Sequence, residues 1–116
     1  MKKNFFKNSF GNEILFSKKE YLDRVKKVKL KMSKNNIDVL LVASPANQFY
    51  LTGYDGWSFY TPQMVLISLS EKYPYWIGRK MDAVGAKFTA FLDKDNIVPY
   101  PDHYVASQKI HPMDYL

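Results

Sequence analysis

Cysteine is absent. That excludes a disulfide scaffold, a thiolate zinc site and a cysteine nucleophile, and it fits a reducing compartment. Arginine is scarce: of 17 Lys and Arg residues, only Arg24 and Arg79 are arginines. Bidentate phosphate and base contacts rely on arginine forks, so no specific nucleic-acid recognition is expected. The only histidines, His103 and His111, stand eight apart, which is no zinc spacing, even with Asp102 and Asp114 nearby. No P-loop, dinucleotide glycine pattern or nucleophile elbow occurs. The residues therefore show no complete catalytic constellation, and no metal or other cofactor is expected in this chain. Long apolar runs are missing too. The longest, Val39 to Ala43, falls far below the roughly 20 residues a transmembrane helix needs. Near the start, Lys7, Asn8, Ser9 and Gly11 interrupt any apolar stretch that a secretory signal would require. The expectation is a cytoplasmic protein with no membrane partner.

What is present suits one domain. The chain has 116 residues, 47% of them hydrophobic and 24% charged, an ordinary globular balance. The net charge of +6 is unevenly placed. Residues 1–34 carry eleven cations against three acids, and residues 35–116 carry six against eight. A basic face of this kind attracts anionic surfaces without specificity. Its plainer meaning is the solvated side of a helix.

Residues 1–15 show no hydrophobic period and are expected to form a flexible basic leader, with a domain over 16–116. Ser17 and Glu20 form a capping box at a helix start. Tyr21, Val25, Val28 and Met32 then repeat on one helical face, and Asn35 and Asn36 supply a stop. Ile37 to Ala43 reads as a short buried strand. Pro45 suits the first turn of a short helix through Leu51. Met64 to Leu69 and Tyr75 to Ile77 read as a hairpin, residues 81–90 as a short helix, and Asn96 to Val98 as a last strand. Pro99 and Pro101 are expected to end regular structure. This order of elements fits a layered α/β domain.

Two stretches stand out. Residues 49–60 hold six aromatics and two glycines in twelve positions. Glycines allow an irregular loop, and loops on a rigid scaffold often carry function. Trp57, Phe59 and Tyr60 could wall a pocket for a small cyclic or amide ligand, with Asp55 adding a charge; the same cluster would equally suit a core or an interface. In residues 98–105, two prolines precede Asp102, His103 and Tyr104. His103 could act as a general acid or base, and could as well tie down a turn.

The run from Ser44 to Asn47 and from Tyr50 to Tyr60 resembles the N-terminal domain of the creatinase, prolidase and aminopeptidase P superfamily. So do Gly78-Arg79, Met81-Asp82-Ala83, Gly85-Ala86-Lys87, Tyr100 to Val105, and His111 to Leu116. Residues 54–60 and 100–104 look most like the ectoine hydrolase branch. The resemblance implies a three-layer α/β/α fold with a mixed, ribonuclease H-like sheet, incomplete at its C-terminus. It also implies a missing C-terminal pita-bread domain that carries the catalytic residues, and a homodimer. In such dimers the N-terminal domain reaches over the partner's active site. An aromatic and an arginine there contact substrate. Gap-free matching from Gly53 puts Phe59 at the aromatic position and Thr61 at the arginine position, which disfavours creatine.

The resemblance thus implies a non-catalytic piece of a C–N hydrolase, ectoine hydrolase-like, inactive alone. Its substrate-facing candidates are Tyr54, Asp55, Trp57, Phe59, Tyr60 and His103, and its substrate a small cyclic amidine or amide. Two alternatives stand beside it. One is the N-terminal domain of an Xaa-Pro aminopeptidase or prolidase-type metallopeptidase. The other is a stand-alone interaction module that binds a full-length homologue as a decoy partner.

Overall fold

Ser17 opens helix α1, Lys18–Lys34, and its hydroxyl accepts the Glu20 amide at 3.1 Å. The reciprocal half of the expected box is not made, because the Glu20 carboxylate bonds Arg24 one turn on instead. Asn35 caps the C-terminus, and Asn36 takes the left-handed conformation at φ 57° that the Asn-Asn stop suggests. Tyr21, Val25 and Met32 are buried along one face, and the lysines lie on the other.

The computed structural model describes residues 6–56 and 62–101. After α1 come strand β3 (Val39–Val42), helix α2 (Pro45–Thr52), strands β4 (Met64–Ser68) and β5 (Tyr75–Arg79), helix α3 (Ala83–Thr89) and strand β6 (Ile97–Tyr100). Ahead of α1, β1 (Phe6–Lys7) pairs antiparallel with β2 (Glu13–Ile14). The main sheet runs β3-β4-β5-β6, antiparallel across the first two pairings and parallel across the last. The expected α/β architecture around a mixed sheet is present.

Register divides the sheet into two unlike faces. Leu40 lies opposite Ile67, Val42 opposite Val65, Val65 opposite Trp76, and Trp76 opposite Ile97. Side chains alternate along a strand, so these residues share one face. Val42, Val65, Ile67, Trp76 and Ile97 join Tyr21, Val25 and Met32 of α1, Leu51 of α2, and Ala83 and Ala86 of α3 in one buried cluster. Each large side chain buried there stabilises the fold by about 1.5–3 kcal/mol.

The other face carries Val39 and Leu41, which remain 52% and 45% exposed. Ile37 to Ala43 is thus not a strand buried on both sides. In the described sheet it is an edge strand, and all three described helices pack on the opposite face. Pro99 also departs from expectation. It sits inside β6 rather than ending it; β6 is an edge strand in the described sheet, the position at which a strand accommodates proline.

The stretch expected to be a flexible leader is, from Phe6 to Ile14, part of the packed body. Asn8 is the anchor. Its side-chain amide donates to the carbonyls of Lys87 and Ala90, both at 2.8 Å. Its Oδ1 accepts the amides of Phe10 and Asn12. With its hydrogen-bonding groups met, Asn8 can be buried at the end of α3 at little cost. Ile14 then enters the core.

Candidate functional site

Helix α2 ends at Gly53, whose φ of +83° is a left-handed C-cap. Its amide donates to the Phe49 carbonyl at 2.8 Å. The chain turns there toward Tyr54, Asp55 and Gly56. Threonines hold this corner. Thr52 Oγ1 donates to the Gln48 carbonyl at 2.8 Å and accepts the Tyr54 amide at 3.1 Å. Thr89 Oγ1, at the end of α3, accepts the Asp55 amide at 3.0 Å. The Phe91 amide donates to the Thr52 carbonyl at 2.9 Å. Residues 52–55 are therefore tied to both neighbouring helices.

Of the six candidate residues, the described structure places two, Tyr54 and Asp55. Trp57, Phe59, Tyr60 and His103 lie outside the described residues, as does Thr61. Asp55 is exposed and borders a small cavity of about 160 Å³, with Ile14, Tyr21, Phe49, Gly53 and Thr89 among its walls. Tyr54 is different. It is 3% exposed, its ring lies 5.2 Å from that of Trp76, and its hydroxyl donates to Gln63 Oε1 at 3.0 Å. Burial, reinforced by the Asp82 carboxylate, pushes the Tyr54 hydroxyl up to about 12. Tyr54 thus stays a neutral donor inside the domain, whereas Asp55 faces solvent.

Gln63, Gln48 and Trp76 complete a polar seam that composition does not reveal. Gln48 Nε2 donates to the carbonyls of Val42, Ala43 and Gln63 at 3.1–3.2 Å, which joins the ends of β3, α2 and β4. Gln63 Nε2, Trp76 Nε1 and Asp82 Oδ2 are buried and have no hydrogen-bond partner among the described residues. Gln48 and Gln63 could have been suspected only from their position. Each is a long polar residue just inside or beside an apolar element.

A larger groove, about 400 Å³, lies elsewhere, along α1 between Lys27, Lys31, Lys34 and Tyr50. It holds none of the candidate residues. Arg24 at its end is fully engaged. Its guanidinium lies 4.4 Å from the Phe16 ring and 4.5 Å from the Tyr50 ring, and it donates to the Tyr50 carbonyl at 2.8 Å. This arginine is structural, a stacked clamp between α1 and α2. Among the described residues, no three His, Cys, Asp or Glu side chains gather where they could hold a metal ion. Nor is any described helix long and apolar enough to cross a membrane.

Comparison with known proteins places this geometry. The chain is 54% identical over 101 residues to the ectoine hydrolase of Halomonas elongata, a match covering 87% of this chain and 25% of that protein. It is 46% identical over 101 residues to the uncharacterized hydrolase/peptidase y4tM of Sinorhizobium fredii, covering 87% of this chain and 26% of that protein. The chain thus spans about a quarter of the length of these curated relatives. Among solved structures, the creatinase/prolidase N-terminal domain of an X-Pro dipeptidase from Streptococcus pyogenes superposes with a TM-score of 0.61 at 13% identity, over 80% of this chain and 63% of that one. A proline dipeptidase from Streptococcus pneumoniae gives 0.59 at 18% identity, over 68% of this chain and 56% of that one. At such identities these two matches speak for the fold. Residues 24–112 match the family model described as the creatinase/prolidase N-terminal domain, and the chain belongs to that family.

Proposed function

We propose that this chain is the non-catalytic N-terminal part of a cytoplasmic, ectoine hydrolase-like enzyme that cleaves a C–N bond in a small cyclic amidine. The observation that carries the reading is the 54% identity to ectoine hydrolase across 87% of the chain. The role of the piece is to supply dimer contacts and an aromatic wall to the partner subunit's substrate pocket. Trp57, Phe59 and Tyr60 would form that wall, with Asp55 and His103 beside it. A delocalised cationic ring stacks well on aromatic faces. The exposed setting of Asp55, at the start of this stretch, supports its facing outward.

The catalytic groups belong to the pita-bread domain that would follow. One wall of a pocket cannot by itself provide a nucleophile, a base and oxyanion stabilisation. The test is a chimaera in which residues 16–116 replace the matched segment of the Halomonas elongata enzyme. Ectoine hydrolysis by the chimaera, with none by the chain alone, supports the reading. A folded, dimeric chimaera without activity contradicts it.

A further inference from the structure

The acids of α1, Glu20 and Asp23, stand near its start and are paired with Arg24 and Lys19. Residues 25–34, the rest of the helix, hold five lysines and no acid. One of the five, Lys29, donates to the carbonyls of Glu71 and Lys72 in the turn between β4 and β5. Lys27, Lys31 and Lys34 recur at intervals of four and three, so they share one side of the helix. All three line the groove of about 400 Å³ between α1 and Tyr50 of α2. Their ammonium groups make no ion pair or hydrogen bond among the described residues. The stripe is about 10 Å long, two helical turns.

Apolar groups sit among these charges. Leu30 lines the same groove and is 57% exposed, and Tyr50 is 46% exposed. A lone exposed leucine is ordinary. Here it belongs to a concave surface, and the lysine stems add apolar area beneath their charges. Lysines in a last turn also suit the helix dipole, which accounts for Lys31 and Lys34 but not for Lys27 or Leu30. Arg24 joins the two helices that wall the groove, so the groove is already formed.

We propose that the α1–α2 groove is a docking surface for an acidic amphipathic helix of a partner protein. Carboxylates on two successive turns of that helix meet Lys27, Lys31 and Lys34, and an apolar side chain between them lies on Leu30 and Tyr50. Charge complementarity selects this partner. Nucleic acid fits less well: duplex-binding surfaces engage about 6–10 phosphates, whereas this stripe is short, has no arginine fork and is apolar at its centre. A membrane fits less well too, because the apolar face of α1, with Tyr21, Val25 and Met32, is buried in the core.

The test is a fluorescence-anisotropy titration of a labelled synthetic helix, with Glu on successive turns and Leu between them, by the full 116-residue chain. The parent is expected to bind it, and to bind the same peptide with Gln in place of Glu about tenfold more weakly or worse. Lys31→Glu is expected to weaken binding about tenfold or more. Lys94→Glu makes the same change in net charge at an exposed site outside the groove, and is expected to change binding less than about threefold. Leu30→Ser is expected to weaken it about threefold or more. If Lys31→Glu does not fold, Lys27→Glu decides. Equal losses from Lys31→Glu and Lys94→Glu would mean that net charge alone attracts the peptide, and would overturn the proposal. Absence of binding by the parent would overturn it as well. So would a duplex DNA oligomer that binds more tightly than the peptide and loses affinity with Lys31→Glu.

Discussion

Gly53 lies against the Tyr21 hydroxyl: a Cβ at Gly53 would come within 2.7 Å of it and within 2.9 Å of the Thr89 carbonyl oxygen. Its φ of +83° is also costly for any other residue. Replacing Gly53 with Ala adds both penalties, since the Thr89 carbonyl is backbone and cannot swing aside. The expected loss is about 2–4 kcal/mol in urea unfolding. A loss below 1 kcal/mol would mean that the corner yields more easily than its packing indicates.

The two faces of the sheet predict opposite responses to the same kind of change. Val65 is fully buried in the core cluster with Trp76, whereas Leu41 is 45% exposed on the opposite face of the sheet. Val65→Ala is expected to cost about 2 kcal/mol or more, and Leu41→Ala under about 1 kcal/mol, although leucine loses the larger group. Equal costs would show that Leu41 is covered in solution.

Much of this architecture is legible in the sequence. Helix α1 announces itself through Ser17 and the spacing of Tyr21, Val25 and Met32, because burial of one helical face demands that period. The β4–β5 hairpin follows from two apolar runs around Pro74. Other features rest on contacts between distant residues. Asn8 sits in a stretch without period, yet it reaches carbonyls 79 and 82 residues away. No local pattern encodes that. The candidate site was legible only as a composition. Tyr54 and Asp55 are neighbours in one aromatic, glycine-flanked run. The direction of each side chain separates them, one into the core and one to solvent.

Arg24 links α1 to α2 by two different means, stacking and a bond to the Tyr50 carbonyl. Lysine keeps the charge but has no flat face to lie between Phe16 and Tyr50. Arg24→Lys is expected to cost about 1 kcal/mol in urea unfolding, and Arg24→Ala about 1–2 kcal/mol. Loss of the Glu20 pair alone would cost less, because the Glu20 side chain is half exposed.

Tyr54 also makes stability depend on pH on the alkaline side. Its folded pKa is pushed up to about 12, above the ordinary value near 10. The folded state therefore holds the proton more tightly than the unfolded chain. That contribution is fully present below pH 10 and is lost as pH rises from about 10 to 12. Urea midpoints measured across this window should fall more steeply for the parent than for Tyr54→Phe. Parallel curves would show that the hydroxyl is not buried as described.

The central claim is that the aromatic segment after Gly56 forms a wall of a substrate pocket completed by another domain. Steady-state ectoine kinetics of the chimaera carrying Trp57→Ala or Phe59→Ala test it most directly. The expected result is a KM raised about tenfold or more, since each loses a stacking face worth roughly 1–2 kcal/mol. Unchanged kcat and KM in both variants would contradict the claim.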